Sequence, residues 1–108
     1  MFANNEFKGY LFLEKAKSKF DKFDYMVLFK PDFSILTTQV LVYREDYGGE
    51  ITSKRWLAQF RNKLNGQNME FGKDIKNISG ATISARSISV GIKKLSENVA
   101  ELRTLKAI

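Results

Sequence analysis

The sequence predicts an α+β fold: an antiparallel β-meander packed against a long C-terminal helix and a shorter middle helix, as one domain over residues 1–108. Two observations predict it. The first half carries three runs rich in aromatic and β-branched residues, separated by short polar loops, and the second half changes to helical spacing. Strands grouped before helices, rather than alternating with them, favour an antiparallel sheet with one buried and one wetted face. A chain of 108 residues buries about two-thirds of the surface its unfolded form exposes, enough for a core. Nine Phe, four Tyr and one Trp supply much of that core and exclude a disordered tail.

The first strand lies within Phe7 to Ala16, where Tyr10-Leu11-Phe12-Leu13 is bounded by Gly9 and a lysine-rich stretch. Lys17 to Lys22 is polar and reads as a hairpin loop. Phe23 to Phe29 is the second strand, and Lys30-Pro31-Asp32-Phe33 a turn whose proline pre-sets the first corner. Ile35 to Tyr43 is the clearest strand, and its β-branched content places it at the centre of the sheet. It delivers the chain into the acidic loop Arg44-Glu45-Asp46-Tyr47-Gly48-Gly49-Glu50, whose glycines suit tight backbone geometry.

Thr52 and Ser53 are caps for a helix over Lys54 to Lys63, with Trp56, Leu57, Phe60 and Leu64 on one face. Such a stripe serves a core, or, at the helix edge, the wall of a ring-binding site. Leu64 to Asn68 is a loop by composition. Met69 to Ile78 keeps no single period; a short strand over Asp74 to Ile78 is expected to lead into the last helix. There Ala81, Ala85, Ile88, Ile92, Leu95, Val99 and Leu102 alternate four and three apart. The stripe predicts packing on the sheet and permits a homodimer through the distal half.

The absence of cysteine and histidine excludes thiol nucleophiles, disulfides, imidazole acid–base chemistry and the usual zinc sites. Redox work would therefore rest on a bound cofactor. A net charge of +6 suits an anionic partner: a phosphorylated cofactor, an anionic membrane or nucleic acid. The lysines are scattered rather than clustered, which argues against nucleic acid. Met1 to Glu6 lacks the charged start and apolar run of an export signal, and no apolar run is long enough to span a membrane.

The stretch that carries chemistry is Ser79-Gly80-Ala81-Thr82-Ile83-Ser84, at the entrance to the last helix. A helix start leaves its first N–H groups unpartnered and bears about half a positive charge. Those donors, a glycine that permits close approach and the hydroxyls of Ser79, Thr82 and Ser84 describe a phosphate seat. The same residues also describe an ordinary N-cap.

This segment resembles the Ser-Gly-Ala-Thr-x-Ser/Thr signature of the FMN-binding domain family, which includes flavin-carrying subunits of the Rnf complex and of the sodium-pumping NADH:quinone oxidoreductase. A second match, Tyr43 to Glu50 followed by Trp56-Leu57-Ala58-Gln59-Phe60, is similar to the family's acidic glycine-bearing loop and its Gln-Phe helix. The resemblance runs from about Leu36 to Ile92 and implies FMN as cofactor. It implies binding residues at Ser79, Gly80, Ala81, Thr82 and Ser84, with Glu45, Gly48, Gly49 and Trp56 bordering the flavin. In covalently loaded members the motif threonine is joined to the FMN phosphate, and that residue maps onto Thr82. The attachment pattern places an aspartate three residues before the motif serine; here Lys76 stands there, so reversible binding is expected.

The resemblance implies an electron-transfer flavoprotein with redox partner proteins, in a membrane-associated or extracytoplasmic setting. Arg44 and Lys54 are candidates to stand near the flavin's N1 edge, and Arg44 also to neutralise the phosphate or pair with Glu45. Two other classes remain: a small FMN-dependent reductase, and a cofactor-free basic interaction module on the same scaffold.

Overall fold

The structure, a computed structural model, describes residues 2–3, 6–7, 9–45 and 49–105. Two short strands, β1 (Phe2–Ala3) and β2 (Glu6–Phe7), pair antiparallel ahead of the main sheet. The main sheet is a meander of β3 (Tyr10–Lys17), β4 (Lys22–Phe29) and β5 (Ile35–Val42), in the order β3-β4-β5. Both pairings are antiparallel, with Leu13 opposite Met26 in one and Val27 opposite Thr38 in the other.

The centre of the sheet is β4, not the Ile35–Tyr43 segment as its composition suggested. In β4 Phe23, Tyr25, Val27 and Phe29 are buried while Asp24, Met26 and Leu28 are half-buried, which is the two-residue period of a strand with one face on the core. On the outer side of β5, Ile35 donates its N–H to the Lys63 carbonyl at 2.8 Å and accepts from the Asn62 N–H at 2.7 Å. A returning loop, not a fourth strand, therefore covers its start. β-Branched content reports fit to a pleated, half-buried surface, which an edge strand also provides.

The middle helix begins at Ser53, one of its two expected caps, whose hydroxyl accepts from the Trp56 N–H at 3.3 Å, while the Thr52 hydroxyl donates to the Gly49 carbonyl in the preceding 3-10 turn. It is shorter than the expected Lys54–Lys63. The α-helix α1 spans Lys54–Leu57 and tightens into a 3-10 turn over Ala58–Phe60. Arg61 is already extended, and Asn62 turns the chain at φ 67° so that its N–H reaches Ile35. Asparagine tolerates that left-handed conformation better than most residues. The tertiary hydrogen bond to the sheet edge ends the helix one turn early.

No strand forms over Asp74 to Ile78. The segment closes instead into a turn in which the N–H groups of Asp74 and Ile75 both donate to the Glu70 carbonyl, at 2.8 and 3.1 Å. A single parallel bridge joins Phe71 and Ile75.

The last helix, α2 (Thr82–Thr104), lies against the sheet and buries Ala85, Ile88, Ile92, Leu95 and Val99, with Ala81 buried at its cap. The core lies between this stripe and the inner faces of β4 and α1, where Ile51, Trp56, Leu57, Phe60, Met69 and Ile75 close it. Gly91 is the point of closest approach: a Cβ there would stand 2.6 Å from the Tyr25 hydroxyl. The meander, the long C-terminal helix and the short middle helix together form the α+β arrangement the pattern predicts.

Candidate functional site

The N-terminus of α2 is held by the segment that enters it. The Trp56 indole N–H donates to the Lys76 carbonyl at 2.7 Å, and the Lys76 N–H donates to the Gln59 side-chain carbonyl at 2.9 Å. The chain then makes a turn closed by the Ala81 N–H on the Ile78 carbonyl at 3.1 Å. Gly80 is the third residue of that turn, at φ +85°, where a side chain is disfavoured.

Helix capping, the alternative for the motif's hydroxyls, is not how they are used. The N-cap is Ala81, no side chain caps the first turn, and that turn holds no acidic residue. The first N–H groups of a 23-residue helix are thus left to solvent or a ligand.

A cavity of about 190 Å³ opens at this helix start. Gly80, Ala81, Thr82, Ile83 and Ser84 line one side, and Lys19 and Tyr43 the other. Ser84 is only 2% exposed, and its hydroxyl has no hydrogen-bond partner among the described residues. Thr82 is exposed at the first helical position. Whole-ligand pockets run about 300–1,000 Å³, so this space suits a phosphate and part of a polyol rather than an entire dinucleotide-sized molecule.

Lys19 comes to the site on the β3–β4 hairpin loop, and Glu45 fixes that loop. The Glu45 carboxylate accepts from the N–H groups of Phe20 at 3.0 Å and Asp21 at 3.1 Å, and from the Ser18 hydroxyl. Glu45 therefore positions a lining residue without lining the cavity itself. Glu50 lies at the motif's back: a Cβ on Gly80 would meet its Oε1 at 2.8 Å.

The other expected residues are placed as follows. Ser79 is exposed beside the cavity and does not line it. Gly48 lies outside the described residues. Gly49 starts a 3-10 turn over Gly49–Thr52, and a Cβ there would meet nothing within 4 Å, so neither space nor backbone demands glycine. Trp56 is 7% exposed and packs edge-on against Phe60, with ring centroids 5.7 Å apart. It belongs to the core and acts on the site through Lys76.

Arg44 does not line the cavity and does not pair with Glu45. Its guanidinium binds the Asp24 carboxylate at 2.9 Å and the Lys22 carbonyl at 2.9 Å. That hydrogen bond holds the Asp24 carboxyl below the usual carboxylate range and raises Arg44 in return. Lys54 lines a different cavity, at the edge of β5.

Three lining residues, Lys19, Tyr43 and Ile83, went unassigned in the sequence. Ile83 had a local signal, an apolar side chain off the buried stripe and 51% exposed in the first helical turn. Tyr43 had only its place at the head of the matched acidic loop and Lys19 had none, since only the folding of the meander brings the hairpin tip and the end of β5 to the helix entrance.

Unpaired helix-start donors, a turn whose glycine sits at φ +85°, the Ser84 hydroxyl and one lysine fit a phosphate monoester. No curated protein matches the chain. The profile of the FMN-binding domain matches residues 20–97, from the β3–β4 loop into the second half of α2, and so extends past both ends of the stretch that carries the motif resemblance. The chain belongs to the FMN-binding domain family, with FMN as its cofactor.

Proposed function

We propose that this chain is an electron-transfer domain that holds FMN reversibly by its phosphate at the start of α2. The observation that carries this reading is the uncapped helix N-terminus opening, through Gly80, on the cavity that Lys19 shares. FMN, when bound, supplies uptake and return of one or two electrons. The backbone N–H groups of Thr82, Ile83 and Ser84 and the Ser84 hydroxyl are the donors for phosphate oxygens, and Lys19 balances charge. Ile83 and Tyr43 offer apolar surface to the polyol and ring.

Thr82 presents an exposed hydroxyl at the cavity, a position compatible with a phosphoester. Lys76, in place of the attachment pattern's aspartate, favours the reversible mode. Among the described residues no helix is long and apolar enough to cross a membrane. The family resemblance implies redox partner proteins in a membrane-associated setting.

Denaturing FMN-loaded protein tests the mode of attachment. Colour released to the supernatant supports reversible binding. Colour retained on the chain, with a mass increase matching FMN that Thr82→Ala abolishes, overturns it. Rapid multiple turnover of NADH by the loaded protein would favour a reductase over a carrier.

A further inference from the structure

Thr38 of β5 is 5% exposed, and its hydroxyl oxygen has no hydrogen-bond partner. Buried polar atoms in native proteins almost always have a partner, so this one marks a place where a further group belongs. Thr38 is one of the residues lining a cavity of about 190 Å³ between β5 and α1, distinct in all its lining residues from the cavity at the start of α2. Thr37 and Gln39 line it from the strand, and Lys54 and Arg61 from the helix and the turn that follows.

The charges here point one way. No acidic residue lines the cavity, and neither Lys54 nor Arg61 makes an ion pair or side-chain hydrogen bond among the described residues. An ordered water would satisfy Thr38 but would leave two neighbouring cations without a counter-charge. An oxyanion satisfies all three groups, because it accepts from the hydroxyl, the ammonium and the planar guanidinium fork.

We propose that the β5–α1 cavity is a second anion site, which binds a small oxyanion group, phosphate or carboxylate, through Thr38, Lys54 and Arg61. The site is independent of flavin binding. It gives the domain a contact for an anionic small molecule at the β5 edge of its sheet.

Amide NMR on the full chain loaded with FMN tests this, titrated separately with inorganic phosphate, acetate and chloride at matched ionic strength. Saturable shifts at Thr38, Ala58 and Arg61 with phosphate or acetate, and none with chloride, are expected; whichever of the two binds tighter identifies the source of the oxyanion. Thr38→Val and Arg61→Gln should each weaken that binding about tenfold or more, whereas Thr38→Ser retains it, and all three should leave FMN affinity unchanged. Equal response to chloride, shifts confined to residues 80–84, or unchanged affinity in Thr38→Val would overturn the proposal and leave water as Thr38's partner. If the chain takes up no FMN, the same titration on the unloaded protein decides the question, because amides of the two cavities report separately.

Discussion

The Trp56 indole N–H donates to the Lys76 carbonyl at 2.7 Å, and so ties the middle helix to the backbone that leads into the Ser79–Ser84 motif. The tryptophan is buried, so this bond replaces one that water would otherwise make to both groups. Trp56→Phe keeps the ring and removes the donor. It should cost about 1 kcal/mol in a urea melt, the usual net worth of an intramolecular hydrogen bond, and weaken FMN several-fold as the motif loop loosens.

Gly80 and Gly49 should respond differently to alanine. At Gly80 a φ of +85° opposes a side chain, and a Cβ would also displace the Glu50 carboxylate, whose Oε1 would lie 2.8 Å away. Gly80→Ala should destabilise by about 1–2 kcal/mol, the usual left-handed penalty, and reduce FMN affinity, read by flavin fluorescence. Gly49→Ala has open space and no positive φ and should change stability by less than about 0.5 kcal/mol.

Glu50 places a carboxylate against the turn that precedes the phosphate seat. Like charges repel a bound phosphate, with an energy of about 1 kcal/mol at roughly 4 Å in the dielectric of water. Glu50→Gln should therefore tighten FMN about threefold to tenfold, and Lys19→Gln should weaken it by a similar factor. Both effects should shrink as salt is raised, measured by fluorescence titration across ionic strength.

Tyr25 sets an alkaline limit on the fold. Its hydroxyl is buried against Gly91, and burial, with a smaller push from Glu14, raises its pKa to about 12 from 10.0. Below pH 10 both folded and unfolded chains keep the proton, and the full stability is present. Between pH 10 and about 12 the unfolded chain loses the proton and the folded one holds it, so stability falls as pH rises. Melting temperature followed through this window should drop more steeply in the wild type than in Tyr25→Phe.

The elements legible in the sequence were those specified by local pattern. The four-and-three stripe from Ala81 to Val99, the alternation of Phe23 to Phe29 and the Ser53 cap each need only their own segment to be read. What was not legible depends on contacts between distant segments. Asn62 ends the middle helix by reaching Ile35, and the same pair of residues makes β5 an edge strand. Glu45 clamps a loop more than twenty residues earlier in the chain, and that clamp is what brings Lys19 to the helix entrance. The motif marked the turn and helix start proposed as the phosphate seat, but Lys19 and Tyr43, the facing wall of the cavity, come from the topology.

The most direct measurement is an FMN titration of isotope-labelled protein followed at the backbone amides. If the phosphate sits at the start of α2, the amides of Thr82, Ile83 and Ser84 should show the largest saturable shifts, with Lys19's loop moving in step. Flavin that binds and turns the protein yellow while those amides stay unchanged would contradict the account.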